Sequence, residues 1–227
     1  MQLFTLMLSI MLLALTTPMV SAGPFVTDHL PAGYTLGKMG FSGEIAGHHI
    51  SYNGTIEEIL AYAETQHPGI TKALAARDDV PLDIAGLESS NIVTRSANLY
   101  LAGPWDGKGH RYCGKDDCPL CPEWGYAINY RIQEGINYLN KVKATCNASS
   151  HQCVRISCSW HSAIHLCNDM EDRVDMPCNW ASTFAGDVIN DPRCQDPSND
   201  RWDYDWSNGQ QWASNRAYNI FVSWANC

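Results

Sequence analysis

Hydrophobic and polar positions alternate in blocks along this chain. Residues 1–22 carry no charged side chain and hold the apolar run LFTLMLSIMLLALTTPMV. The run closes on Val20-Ser21-Ala22, small residues suited to a signal-peptidase site, and Gly23-Pro24 stops any helix beyond it. We read residues 1–22 as a cleaved signal peptide rather than a membrane anchor. From Met39 to Tyr52, the stretches MGFSGEI and HHISY flank Ala46-Gly47 and predict a hairpin. Thr55-Ile56-Glu57-Glu58 predicts a capping box: the hydroxyl accepts from the Glu58 backbone, and that carboxylate reaches back. Ile59, Leu60 and Tyr62 continue the helix, which ends before Pro68. The result is a ββα unit, followed from Asp78 to Arg95 by an acidic, polar linker.

Beyond Ser96 the pattern changes. Pro122-Glu123 predict a helix start, and Ile128, Ile132, Ile136 and Leu139 form its stripe, with Lys141 and Lys143 at its end. Cys153 to Trp160 alternates, placing Val154, Ile156, Cys158 and Trp160 on one face and Arg155, Ser157 and Ser159 on the other. Ala163 to Cys167 returns as its hairpin partner. Asp175, Met176 and Pro177 are expected to cap a second helix carrying Trp180, Phe184, Val188 and Ile189 on one side. A loop from Asp191 to about Ser214 then leads to a last strand, Ala217 to Trp224, with Tyr218, Ile220, Val222 and Trp224 on one face. The expected fold is α+β: a small antiparallel sheet with two helices on one face, disulfide-crosslinked and preceded by the small ββα unit.

Composition sharpens this picture. With 45% hydrophobic residues and 8 Trp in 227, the chain is not intrinsically disordered. A net charge of −9 excludes a protein that tracks nucleic-acid phosphates. All the cysteines follow Cys113 and all the tryptophans follow Trp105, so we divide the chain into a signal at 1–22, a ββα unit or propeptide with linker at 23–95, and a cysteine-rich domain at 96–227. In an oxidising compartment, Cys113, Cys118, Cys121, Cys146, Cys153, Cys158, Cys167, Cys178, Cys194 and Cys227 read as a disulfide framework whose connectivity spacing does not fix. Cys118 and Cys121 form a CxxC with no second pair, and His161 and His165 read as a polar hairpin face rather than half a metal site. No metal or cofactor is expected. Asn53 and Asn147 head glycosylation sequons, which fits a secreted, extracellular protein.

There is no GxSxG elbow, P-loop or HExxH. Carboxylates at Asp169, Glu171 and Asp172, and at Asp203 and Asp205, keep a small extracellular hydrolase as one alternative. Asp203, Asp205 and Ser207 fail as an EF-hand, because Asn208 stands at position six and Ser214 at position twelve. Trp202, Tyr204, Trp206 and Trp212 offer apolar ring faces, and Asp203, Asp205 and Asn208 offer hydrogen bonds to hydroxyls. This is a candidate sugar-contacting surface; the other reading is that the rings cover a small core.

CVRISCSWHSAIHLCND resembles a signature of fungal secreted cysteine-rich proteins, and it follows a matching helix, RIQEGINYLNKV. FSGEIAGHHISYNGTIEEI and the stretch from Asn219 to Cys227 resemble that family's front segment and closing strand. The cysteine order is similar to the type-four killer toxins of smut fungi. That resemblance implies a sheet with two helices under five disulfides. It also implies the pairs Cys158–Cys227, Cys153–Cys167 and Cys146–Cys178, with Cys194 joined to Cys113, Cys118 or Cys121. The toxins have two cysteines after the second helix, where this chain has only Cys194, and Arg155 stands one position from their activity-linked basic residue. The resemblance also gives the front segment a reading as a pro-region, although no dibasic processing site is present; Arg77 and Arg95 are single. The expected function is a secreted effector or killer-toxin-like protein that binds an extracellular target, either a membrane protein or a cell-wall glycan. A wall-carbohydrate-binding protein is the second expectation.

Overall fold

Thr35–Lys38 (β1) leads into a hairpin of Gly40–Ile45 (β2) and His48–Asn53 (β3). The hairpin turns on Ala46 and Gly47 at φ 50° and 89°, the paired positive dihedrals of a type I′ turn. The computed structural model describes residues 30, 33–76, 107–117, 125–198 and 205–227. Residues 1–22, expected to be a signal peptide, the expected linker from Asp78 to Arg95, Pro122-Glu123, Cys118, Cys121, Trp202, Asp203 and Tyr204 lie outside the described residues. The capping box is formed: Glu58 N donates to Thr55 Oγ1 and Thr55 N donates to Glu58 Oε2, opening helix Ile56–Gln66 (α1). Ile70–Ala75 (α2) follows.

Next come Lys108–Tyr112 (β4), a helical turn at Gly114–Asp117, Ala127–Ile128 (β5) and helix Asn129–Lys141 (α3). Lys143–Ala148 (β6), Gln152–Ser159 (β7), Ser162–Asn168 (β8) and Val174–Pro177 (β9) precede helix Cys178–Ile189 (α4). A 3-10 turn at Pro192–Cys194, Trp206–Ser207 (β10), Gly209–Ala213 (β11) and Tyr218–Trp224 (β12) complete the described chain. The strands form a six-stranded sheet in the order β1-β7-β8-β12-β11-β4, a four-stranded sheet in the order β3-β2-β6-β9, and the pair β10-β5. Every pairing is antiparallel except β1 with β7. The fold is thus α+β and disulfide-crosslinked, with one core running through both large sheets and all four helices. Among the described residues no helix is long and apolar enough to cross a membrane.

Among the described residues four bridges are present: Cys113–Cys194, Cys146–Cys178, Cys153–Cys167 and Cys158–Cys227. Three of these are the pairs the killer-toxin resemblance implied, and the fourth takes Cys113 from the trio offered to Cys194. Each bridge restrains the unfolded chain and stabilises by about 2–4 kcal/mol. Multiple disulfides fit an extracellular protein.

The structure departs from several sequence expectations. The front segment joins both large sheets: β2 pairs with β6 over Gly40–Glu44, and β1 pairs with β7. Glu57 of α1 is half-buried, accepts from Ser157 Oγ at 2.5 Å and Cys158 N at 3.0 Å, and is pushed above the usual carboxyl range by desolvation. Buried residues of the front segment and of the cysteine-rich segment belong to one core cluster. The long helix starts at Asn129, because Ile128 is taken by β5 and donates its backbone N–H to Ser162 Oγ. Val174–Pro177 is a strand on β6 that runs directly into α4, with Pro177 at the N-cap position and no side-chain cap hydrogen bond there. The expected loop from Asp191 holds β10 and β11, drawn into ladders with β5, β4 and β12. The alternation of β7 breaks at a bulge between Arg155 and Ser157, which turns Ser157 inward toward Glu57. His165 is not on a polar face: it is fully buried and stacked on Phe221 at 4.1 Å.

Candidate functional site

Among the described residues β4 is one of the two edge strands of the six-stranded sheet, with β1 at the other edge. It pairs with β11 through Tyr112↔Gln210, Arg111↔Gln211 and Lys108↔Ala213, a ladder that skips Trp212. Two cations of β4 turn toward α4. Lys108 Nζ lies 2.7 Å from Asp187, and Arg111 lies 2.8 Å from Asp191. Asp191 also accepts from Arg193, and these guanidinium bonds hold its carboxyl well below the usual range. On the outer side, His110, Tyr112, Gln210, Trp212, Ser214 and Arg216 line an open cleft of about 390 Å³. The His110 and Tyr112 rings meet edge-on at 4.6 Å. Trp212 is half-buried and Ser214 and Arg216 are exposed, and none of the three makes a side-chain hydrogen bond or ion pair among the described residues, which leaves their donors available at the cleft.

Gln210 joins the cleft to a polar chain across the same face. Its amide donates to Asn219 Oδ1 at 2.8 Å, and Asn219 Nδ2 donates to Asp169 Oδ2 at 3.0 Å. The other Asp169 oxygen accepts from the Tyr34 hydroxyl. Burial pushes the Asp169 carboxyl up to about 6, against the lowering effect of Asn219. The network fixes Gln210 and backs the cleft floor with a rigid hydrogen-bonded array.

A second feature stands at the β7–β8 hairpin tip. Trp160 and His161 occupy a two-residue turn at φ 49° and 59°, positions that favour glycine or asparagine. Trp160 is 69% exposed. The Arg131 guanidinium sits 4.9 Å from its ring and 4.5 Å from that of Tyr130, which is itself exposed. His161 stacks on Trp224 at 5.3 Å. A strained turn thus presents a large apolar ring to solvent.

Of the candidate sugar surface, Asp205, Trp206 and Trp212 are among the described residues. Trp212 lines the cleft, whereas Asp205 is exposed outside its described lining. Trp206 is half-buried in β10 opposite Ile128. Trp202, Asp203 and Tyr204 lie outside the described residues. His110, Tyr112 and Arg216 escaped the sequence reading. Their one signal was the short alternation Lys108-Gly-His-Arg-Tyr112, which reads as an edge strand only once β11 is known to be a strand. Asn53 and Asn147 both register opposite Gly40, so the two sequons share one face of the four-stranded sheet. Asn53 is exposed, while Asn147 is half-buried on an interior strand. Among the described residues, Cys113, Asp191 and Cys194 come together as a metal set would. Their sulfurs are joined to each other and the carboxylate is held by Arg111 and Arg193, so no ligand atom is free.

No family model, no curated protein and no solved structure matches the chain.

Proposed function

We propose that the chain is a secreted binding protein of the effector or killer-toxin-like kind, and that the β4–β11 cleft takes a cell-wall carbohydrate. The observation that carries this reading is the cleft itself: the Tyr112 and Trp212 rings lie beside the uncommitted donors of Ser214 and Arg216. Pyranose rings present apolar C–H faces and equatorial hydroxyls, which aromatic faces and side-chain donors accept together. The crosslinked sheet holds these groups in place before binding, which limits the ordering cost. Retention on insoluble chitin and β-glucan tests the reading. The wild-type protein is retained on at least one of them, Trp212→Ala is not, and Trp206→Ala, outside the cleft, behaves as wild type. Passage of the wild type through both matrices, or equal retention of Trp212→Ala, contradicts it.

A protein target in a competitor or host membrane is the second reading, and the Trp160 tip favours it. Trp, Tyr and Arg are the residue types that dominate protein–protein hot spots, and here they adjoin on one exposed tip. The coincidence of three disulfides with the toxin-like pairing supports the same reading. Growth inhibition lost in Trp160→Ala and kept in Trp212→Ala would favour it over the glycan.

A further inference from the structure

Resting on the glycan reading of the cleft, we propose that its ligand is an acidic polysaccharide, a uronate chain whose carboxylates meet Arg216. The argument begins with how charge divides at the sheet edge. Facing α4, Lys108 and Arg111 are neutralised by Asp187 and Asp191. Facing outward, the Arg216 guanidinium has no carboxylate partner among the described residues, and no Asp or Glu is among the described residues that line the cleft. Asp169, at the far end of the Gln210–Asn219 chain, has its oxygens turned to Tyr34 and Asn219.

The backbone adds a second, independent observation. Arg216 sits at φ 58° in the turn that joins β11 to β12, a conformation in which glycine is the unstrained choice. The chain therefore holds a long cationic side chain at the cleft mouth in a backbone conformation that disfavours any side chain there. A guanidinium offers paired N–H donors to a carboxylate, a geometry that a neutral sugar hydroxyl does not match. The His110 ring N–H, the Trp212 indole N–H and the Ser214 hydroxyl add donors around the same space. Tyr112 and Trp212 supply the ring faces on which a pyranose rests, which a simple anion would not need. The chain as a whole carries −9, so a polyanion is repelled by most of the molecule and its retention reports the cleft.

The test compares polygalacturonate with its fully methyl-esterified form, which has the same rings without the charge, alongside chitin and β-glucan. Full-length secreted protein and the variants Arg216→Gln and Trp212→Ala are used, each checked for native circular dichroism. The expected result is binding of the acid form about tenfold tighter than the ester, the scale of one charge-assisted hydrogen bond. Added salt and Arg216→Gln remove that preference, and Trp212→Ala weakens both forms. Equal or tighter binding of the ester, chitin or glucan, still abolished by Trp212→Ala, overturns the acidic ligand and leaves the glycan reading standing. A preference for the acid form that survives Arg216→Gln overturns the role assigned to Arg216. Absence of binding to every polysaccharide, or binding indifferent to Trp212→Ala, overturns both.

Discussion

Asp169→Asn separates the contribution of one carboxyl to stability from that of its hydrogen bonds. Asp169 is half-buried, and burial raises its carboxyl from an ordinary 3.8 to about 6. Between those values the folded chain holds a proton that the unfolded chain has released. Unfolding free energy therefore falls as pH rises across that window: the contribution is complete below about 3.8 and lost above about 6. The gap corresponds to about 3 kcal/mol for a fully desolvated group. Partial exposure screens the charge, and about 1 kcal/mol is the magnitude expected here. Asparagine keeps the contacts without titrating, since its oxygen accepts from Asn219 and its amide donates to the Tyr34 oxygen. Urea denaturation of both proteins at intervals from pH 4 to pH 7 provides the assay, and other titrating groups cancel in the difference. The wild type loses about 1 kcal/mol relative to Asp169→Asn over that range. Parallel stability curves would refute the assignment of a raised carboxyl to Asp169.

Three further outcomes follow from the packing. Glu57→Ala leaves the Cys158 N–H and Ser157 hydroxyl without their acceptor in the interior, lowering unfolding free energy by about 2–3 kcal/mol in a denaturant titration. Gly135→Ala drives a Cβ into Ser157 Oγ, where α3 crosses β7. Steric shift at that crossing costs about 1–3 kcal/mol, read as a lower melting temperature. Replacing Cys158 and Cys227 together by serine opens a bridge spanning 69 residues and removes about 2–4 kcal/mol, while peptide mapping shows the other described bridges unchanged.

The parts of the fold legible in the sequence are those where local chemistry and tertiary role agree. Thr55 and Glu58 mark the α1 start because a capping box is complete within four residues. The β7–β8 hairpin shows because its residues are apolar enough to form a sheet centre, and Ser162–Asn168 is buried throughout. Gly209-Gln-Gln-Trp-Ala213 hides its strand, since glutamine and glycine carry little strand preference and only the flanking ladders from β4 and β12 hold it extended. Lys143–Ala148 is hidden likewise, lying between β2 and β9 with polar side chains along one face. The candidate site depends on the obscured β11 strand and on the irregularity in its ladder with β4. Trp212 was therefore visible as a ring, but its cleft partners were not. Trp160 reads as the last position of an alternating strand, whereas the chain turns at it with a positive φ that no pattern of apolar residues encodes.

Nuclear magnetic resonance of the indole N–H groups during titration with soluble wall oligosaccharides reports directly whether the cleft is the binding site. The Trp212 signal, assigned by its loss in Trp212→Phe, moves in a saturable manner with added sugar, and the Trp160 signal stays in place. A saturable shift confined to Trp160, or none at Trp212 while sugar binds, would contradict a carbohydrate site between β4 and β11.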